Sequence, residues 1–255
     1  MEIIKNTYLA LYQDKITESI ILDFENFQSS LEEINMNFRI QASAVFSSNI
    51  EGNTLDLNSY LNIKMKKDLK SRKKDVTEID DLIKAYQFAK VNELNEETFL
   101  QSHLILSKNI LIKSKRGKYR NEAIGVFSEN GLVYLAVEHG LLENIMQKFF
   151  DDIRSLLIQD LSISQVLYYA SMIHLQFVHI HPFVDGNGRA ARLLEKWFIS
   201  KKLGDKYWNL LSEKYYKENQ SHYYENINLG INYYELDYEK CLLFLLMLPI
   251  SITMS

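Results

Sequence analysis

The length, composition and charge of the chain predict one globular, mostly helical protein. At 255 residues, with 47% hydrophobic and 24% charged residues, the chain is long enough to bury a large core and too apolar for a disordered protein. Only two prolines and nine glycines interrupt it, which favours helices and predicts an all-α fold. A net charge of −4 argues against the broad basic surface that nucleic acids attract, so we expect no nucleic-acid partner.

Three features predict a cytoplasmic protein with no membrane partner. The single cysteine, Cys241, has no partner for an intrachain disulfide, which is typical of a reducing compartment. The first ten residues, MEIIKNTYLA, lack the basic and apolar regions of a signal peptide. The longest apolar run, Cys241–Ile250, has about half of the ~20 residues that span a bilayer, and we expect Pro249 to end it.

Apolar residues recur at steps of three and four along most of the chain, which predicts helices. The first pattern covers about Thr17–Ile50 as one or two helices. Gly52 and Asn53 are predicted to stop it, and Thr54 to cap the next helix. The basic run Lys64–Lys74 is predicted to be a solvated helix end or loop, with a contact to an acidic partner as the alternative. The later helices are predicted at Glu78–Val91, Thr98–Leu111, Leu141–Leu157, Ser164–His179, Arg189–Lys202, Leu211–Gly230 and about Tyr238–Leu248.

A β-hairpin is predicted in the middle of this helical chain. Ala123–Phe127 and Leu132–Ala136 have the composition of strands, and the SENG segment between them carries an Asn-Gly turn signal. A lone hairpin is stable only when it packs against something. We therefore expect its open edge to be either covered or used.

The segment HPFVDGNGRAAR, His181–Arg192, concentrates polar chemistry between two predicted helices. Gly186, Asn187 and Gly188 place backbone N–H groups at the start of the second helix, which favours an anion site, and the Asn187 side chain adds a donor. Arg189 and Arg192 share one helix face. Two guanidiniums there indicate more than one phosphate.

Two further residues of this segment carry the predicted chemistry. Asp185 offers a hard oxygen ligand for Mg²⁺ beside the phosphates, and His181 suits a general base. Together these residues predict a site for a nucleotide di- or triphosphate. One alternative is a transition-metal site with His174 and His179, which leaves the glycines and arginines unexplained. The other is that these residues only satisfy helix ends. We expect His174 and His179 to be packing or capping residues.

The segment is similar to the signature of the Fic family, and it matches that signature at every fixed position from His181 to Arg192. The resemblance continues in GKYR, Gly117–Arg120, in the hairpin, and in NQSHYYENI, Asn219–Ile227. It implies a mostly helical Fic fold whose hairpin is a flap. It divides the chain into an N-terminal helical region (1–97), a catalytic core (98–248) and a tail (249–255).

The resemblance also implies an activity and residue roles. A Fic protein of this kind transfers AMP from ATP, with Mg²⁺, to a hydroxyl group of a target protein. His181 would deprotonate that hydroxyl, and Phe183 would anchor the loop. Both motif glycines are kept, whereas the phosphorylating branch of the family has lysine where Gly188 stands, and this favours AMP transfer. The remaining roles are Mg²⁺ at Asp185, the α- and β-phosphates at Gly186, Asn187 and Gly188, the β region at Arg189, the γ-phosphate at Arg192, the base near Tyr223 and Tyr224, and the target peptide along Ile124, Gly125, Val126 and Phe127.

A second motif, SSNIEG, Ser47–Gly52, resembles the inhibitory pattern of the same family. Ser47 and Glu51 lie four residues apart on one helix face. A glutamate in the last turn of a helix is unfavourable unless a cation pairs with it. The resemblance implies that Glu51 pairs with Arg192 and that an N-terminal inhibitory helix covers about residues 36–52.

Several alternatives stay open at this point. Glu51 is a plain surface residue in one of them, and in another it orients water for the removal of AMP. The protein as a nucleotide-sensing interaction module is a third alternative, and a toxin is a fourth. The identity of the target protein, self-modification and a homodimer are also open.

Overall fold

A computed structural model describes residues 1–27, 33–66, 72–128 and 131–253. The described part of the chain is mostly helical, with one antiparallel pair of strands. The helices are α1 (Leu9–Gln13), α2 (Glu18–Glu25), α3 (Glu33–Ile50), α4 (Leu57–Lys66), α5 (Lys73–Val91), α6 (Glu96–Leu106), α7 (Leu142–Ile158), α8 (Ile163–Ile180), α9 (Asn187–Leu203), α10 (Ser212–Glu218), α11 (Gln220–Ile227), α12 (Leu242–Leu245) and α13 (Met247–Thr253), and the strands are β1 (Gly125–Ser128) and β2 (Gly131–Leu135).

The helical fold and its hairpin are confirmed, while some predicted helices are divided. Residues 17–50 form two helices, α2 and α3, and residues 211–230 form α10 and α11. The predicted last helix is broken into a 3₁₀ turn at Tyr238–Lys240, then α12 and α13. Pro249 does not end a helix, because it lies in the first turn of α13, where its missing N–H costs no helical hydrogen bond.

Two smaller expectations are also corrected or fall outside the structure. Asp56, rather than Thr54, caps α4, since its carboxylate accepts the Ser59 N–H at 2.9 Å. Residues 129 and 130 of the predicted turn, and residues 67–71 of the basic run, lie outside the described residues.

The core is centred on the antiparallel pair α8 and α9, which are buried along almost their whole lengths. A capping box starts α8, in which Ser162 and Gln165 satisfy each other's backbone N–H groups. The N-terminal α3 packs between α5 and α10 and also contacts α9. The end of α3 therefore lies against the start of α9. Across the residues that the structure describes, no helix is both long enough and apolar enough to cross a membrane.

The hairpin packs against the end of α8. The Tyr134 hydroxyl on β2 donates a hydrogen bond to the His179 carbonyl at 2.6 Å. On its outer side, β2 is bridged to Asn232, and the Leu135 N–H donates to the Ile231 carbonyl at 2.9 Å. Within the described residues, the outer edge of β1 has no strand partner. One edge of the hairpin is thus covered and the other is open.

Candidate active site

The polar motif folds as a tight loop between α8 and α9. His181 caps the C-terminus of α8 in the left-handed conformation, with φ +51°, and Pro182 prevents the helix from continuing. Gly186 precedes α9 with φ +83°, a conformation that favours glycine. The Asn187 side chain closes the loop through two 2.9 Å hydrogen bonds to the backbone of Phe183. The side-chain donor that we expected Asn187 to offer a phosphate is therefore used within the loop.

Phe183 fixes the loop to the core through His103, a residue of α6 that the sequence analysis did not single out. Phe183 is fully buried, and its ring stacks on the His103 imidazole with centroids 3.5 Å apart. The imidazole accepts the Gly117 N–H at Nδ1, and its Nε2 lies 3.0 Å from the Asp185 carbonyl. Since a carbonyl only accepts, Nε2 carries the proton. Burial lowers the pKa of His103 to about 4, and the ring is neutral.

Arg120, in the GKYR segment, connects the same loop to the hairpin. Its side chain is buried and donates to the carbonyls of His181, at 2.8 Å, and of Val137, at 2.5 Å. Its own N–H donates to the Pro182 carbonyl at 2.9 Å. The guanidinium thus satisfies carbonyls of irregular backbone on both sides, which holds the hairpin at a fixed distance from His181.

The geometry of His181 suits a proton acceptor. Its Nδ1 lies 3.1 Å from the Val178 carbonyl, so that nitrogen carries the proton and Nε2 is left to accept one. Burial lowers the pKa of His181, and Arg120 lowers it further, although the Val178 hydrogen bond, Glu51 and Asp185 oppose this. The imidazole is therefore neutral near pH 7.

Arg189 is engaged by two acids. Its Nη1 pairs with Glu78 of α5, and its Nη2 lies 3.4 Å from the Asp185 carboxylate, which also accepts the Gly186 N–H at 2.5 Å. Burial raises the pKa of Glu78, opposed by Arg189. Sequence reasoning missed Glu78, because its sequence surroundings do not distinguish it from glutamates elsewhere in the chain. One guanidinium of the predicted phosphate site is thus already neutralised.

Arg192 is completely buried between α3 and α11. Its Nε donates to the Ser47 hydroxyl at 2.8 Å, and its Nη2 donates to the Ser47 carbonyl at 3.0 Å and to the Glu51 carboxylate at 2.7 Å. Burial raises the pKa of Glu51, but Arg192 and Arg189 outweigh this effect and hold the pKa below its usual range. Glu51 is therefore ionised and paired with a fixed cation.

The backbone at the end of α3 holds Glu51 in place. Glu51 lies one residue beyond the last helical residue, not in the last turn as expected. Gly52 adopts φ +94°, and the N–H groups of Gly52 and Asn53 bond to the carbonyls of Asn49 and Ser48. This is a Schellman motif, which requires the glycine of SSNIEG at that position.

Side chains from α10 and α11 satisfy the last carbonyls of α3. Lys217 donates to the Asn49 carbonyl at 3.0 Å, and Gln220 and Tyr224 each donate to the Ile50 carbonyl at 2.9 Å. A lysine at this end also complements the helix dipole. These three hydrogen bonds hold the end of α3, and with it the backbone that leads to Glu51.

A cavity of about 610 Å³ connects these groups, a size typical of small-molecule sites. The predicted residues that line it are Glu51, Val126, Phe127, His181, Gly188, Arg192, Tyr223 and Tyr224. The predicted residues that do not line it are Ser47, Gly52, Ile124, Gly125, Asp185, Gly186, Asn187 and Arg189. The cavity therefore joins the base, the second arginine, the glutamate and the hairpin in one space.

The side chains near the loop fit Mg²⁺ better than a transition metal. His174 is hydrogen-bonded to Glu195 and Tyr223, and His179 to Tyr238 and the Ile227 carbonyl, so neither ring has a free nitrogen. Among the described residues, no three His, Cys, Asp or Glu side chains form a metal-binding group. The Asp185 side chain is 52% exposed, and a single carboxylate suits Mg²⁺ that takes its other ligands from phosphate and water.

Comparison with known proteins finds a family match over the middle of the chain. The model of the Fic/DOC family matches residues 93–199, which include α8, the loop and most of α9. This part of the chain thus matches a Fic domain. Outside the sequence match, the Fic fold extends over nearly the whole chain. A Fic family protein from Desulfovibrio desulfuricans G20 superposes with a TM-score of 0.78 at 19% identity, over 97% of this chain and 74% of its own.

One further structure shares the fold, and one curated sequence relative matches over part of its length. A Fic domain containing signaling protein from Bacteroides thetaiotaomicron superposes with a TM-score of 0.70 at 19% identity, over 97% of this chain and 94% of its own. The Protein adenylyltransferase Fic of Drosophila willistoni is 31% identical over 156 residues, 58% of this chain and 29% of the fly protein. The chain thus spans less than a third of that curated relative.

Proposed function

We propose that this protein is a Fic adenylyltransferase, which transfers AMP from ATP to a hydroxyl group of a protein and is inhibited by its own Glu51. The observation that carries the proposal is that one cavity contains His181, Arg192 and the Glu51 carboxylate paired with Arg192. The sequence relatives that bear the name Protein adenylyltransferase Fic support the reaction type. Gly188 supports the inhibitory pairing, since a side chain there would meet both Glu51 and Arg192.

His181 acts as the base in the proposed reaction. Its neutral ring takes the proton of the target hydroxyl at Nε2, while its Nδ1–H remains bonded to the Val178 carbonyl. The target oxygen then bonds to the α-phosphorus of ATP, the bond to the β-phosphate oxygen breaks, and pyrophosphate leaves. A base of this kind contributes roughly 10²–10⁴-fold to the rate.

The start of α9 and its arginines hold the phosphates in this proposal. The first backbone N–H groups of a helix have no partner within the helix and attract anions. Arg192 binds the γ-phosphate once Glu51 has left it, and Arg189 serves the β region once it is released from Glu78. Asp185 holds Mg²⁺, which neutralises charge on the phosphates when bound.

The open edge of β1 is the proposed docking site for the target. An extended segment of the target protein adds as a strand beside β1, in which Phe127 is 71% exposed. Because Arg120 connects the hairpin to the backbone of His181, a docked segment brings its hydroxyl to a set distance from the base. We also propose that residues 98–248 form the catalytic unit and that residues 1–97 carry the inhibitory helix.

Intact-mass spectrometry tests the proposed reaction. Wild type, Glu51→Gly and Glu51→Gly/His181→Ala are each incubated with ATP and Mg²⁺, alone and with a cell lysate. We expect AMP adducts on the Glu51→Gly protein itself or on a lysate protein, and none with the double variant. Adducts of a different mass, or none in any arm, would reject AMP transfer.

Hydrolysis of AMP from a modified target is the second candidate. The ionised Glu51 carboxylate lines the same cavity as His181, where it is able to orient a water molecule toward a phosphate ester. If this is the main activity, wild type strips AMP from a modified protein and Glu51→Gly does not.

A further inference from the structure

Behind Arg192 lies a series of buried polar side chains whose hydrogen bonds to one another have no part in the proposed reaction. The Arg192 Nη1 donates to the Tyr223 hydroxyl at 3.1 Å. That hydroxyl lies 2.9 Å from His174 Nε2, and His174 Nδ1 lies 2.7 Å from the Glu195 carboxylate. All four side chains are at most 1% exposed. These four side chains come from three helices, α8, α9 and α11, so the geometry of a single helix does not account for their contacts.

The hydrogen positions in this series follow from the chemistry of its members. A guanidinium has no acceptor, so the Tyr223 oxygen must accept from Arg192. With a neutral imidazole at His174, the single phenol proton is donated to Nε2, and the imidazole proton on Nδ1 is donated to Glu195. The donors therefore all point from Arg192 toward Glu195, and hydrogen bonds aligned in this way in a buried site strengthen one another.

The contact to Tyr223 differs in origin from the other contacts of Arg192. In the part of the chain that the structure describes, the Arg192 side chain makes four hydrogen bonds, three of them to Ser47 and Glu51 of the inhibitory segment. The fourth comes from Tyr223, whose ring centroid also lies 5.9 Å from the guanidinium carbon. When the carboxylate withdraws, Ser47 still holds the Nε side of the guanidinium, and Tyr223 is what directs Nη1.

We propose that Glu195, His174 and Tyr223 form a relay of positioning residues that holds Arg192 toward the cavity in the active state. His174 sets the direction of the Tyr223 hydroxyl, and Glu195 sets the tautomer of His174. None of the three needs to touch the reacting atoms. The relay orders the guanidinium before the nucleotide binds, which reduces the conformational entropy that the Arg192 side chain loses on binding.

The chain offers a matched control for this relay. Tyr216 is also 1% exposed, and its hydroxyl bonds to Glu195 at 3.0 Å. Tyr216→Phe therefore removes a buried hydroxyl from the same carboxylate without interrupting the path from Arg192 to Glu195. Tyr223→Phe and His174→Phe interrupt that path at two different points.

The test reads the Arg192 side chain by ¹⁵N–¹H NMR without nucleotide, in the Glu51→Gly protein. We expect slow rotation and protected Nη–H signals in Glu51→Gly and in its Tyr216→Phe derivative. We expect the Nη1–H signals, which report the bond to Tyr223, to be lost by exchange in the Tyr223→Phe and His174→Phe derivatives, while the Nε–H that bonds to Ser47 stays protected. Equal signals in all four proteins would overturn the relay. If one interrupting variant does not fold, as judged by thermal unfolding, the other decides.

A second measurement connects the relay to the proposed function, on which it rests. Calorimetry gives the Kd of a non-hydrolysable ATP analogue and of ADP for each folded variant, with Mg²⁺. We expect the preference for the ATP analogue over ADP to fall about 10-fold or more in Tyr223→Phe and in His174→Phe, in line with the loss of one hydrogen bond to a charged group. The Tyr216→Phe derivative keeps the preference of its parent. An unchanged preference in both interrupting variants contradicts the relay. A Glu51→Gly parent that shows no preference for the ATP analogue contradicts instead the proposed γ-phosphate role of Arg192. In that case the NMR result alone tests the relay.

Discussion

Replacing Glu51 tests how strongly its carboxylate competes with a nucleotide for Arg192. The pair joins a side chain that is 1% exposed to one that is 26% exposed, at 2.7 Å. A charge-assisted hydrogen bond in such a setting contributes about 2 kcal/mol. If the γ-phosphate must displace Glu51, removing the carboxylate tightens ATP binding by the same free energy, which corresponds to about 30-fold in Kd.

The competition predicts a graded series. Glu51→Gln keeps a hydrogen-bonding oxygen and loses the charge, so we expect ATP to bind about 5-fold more tightly. Glu51→Gly loses both and should reach about 30-fold. AMP lacks the β- and γ-phosphates, and its Kd should not change in either variant.

Calorimetry with a non-hydrolysable ATP analogue and with AMP, in the presence of Mg²⁺, measures this series. Glu93→Gln is the control, since it also removes a carboxylate from an ion pair, but from one that Glu93 forms with Lys201 and not with Arg192. Equal ATP affinity in wild type, Glu51→Gln and Glu51→Gly would refute the competition. A parallel tightening of AMP would show that Glu51 acts on the cavity as a whole.

Three further predictions concern the loop. Phe183→Ala, which empties a fully buried position, should lower the free energy of unfolding in urea by about 3–5 kcal/mol. His103 is held neutral with a pKa of about 4, so its contribution to stability is present above the unfolded pKa of ~6.5 and is lost as the pH falls. From pH 7.5 to pH 5, the free energy of unfolding measured in urea should therefore fall by about 2 kcal/mol more in wild type than in His103→Leu. Because the pKa of His181 is lowered, AMP transfer by Glu51→Gly should stay constant down to pH ~6.5 and fall only below it. A rate that already falls between pH 8 and 7 would contradict this assignment of the base.

The sequence predicts the elements of this protein better than the contacts among their side chains. Hydrophobic periodicity locates α5, α7, α8 and α9 within a few residues, and the strands of the hairpin are also located. The motif identifies the loop from His181 to Arg192 because its glycines and charged residues are unusual in a helical chain. The breaks between α10 and α11 and around α12 are missed, because apolar residues continue through them at helical spacing.

The missed parts of the site depend on tertiary contacts. His103 and Glu78 lie on ordinary amphipathic helices, and only folding brings them to the loop, at Asp185 and Arg189. His174 looks like a core histidine in sequence, yet its two ring nitrogens connect Tyr223 to Glu195. The Asn187 side chain looked like a phosphate donor and is used by the loop. A short motif gives residue types but not the partners that each polar atom finds.

The incorporation of labelled AMP tests the central claim most directly, namely that Glu51 and Arg192 control one nucleotide site. Wild type and Glu51→Gly are incubated at equal concentration with α-labelled ATP and Mg²⁺, and label on protein is followed over time. We predict strong incorporation by Glu51→Gly, at least tenfold above wild type on the energy of the pair given above, and none when Arg192→Ala is added. Equal incorporation by wild type and Glu51→Gly would contradict the account.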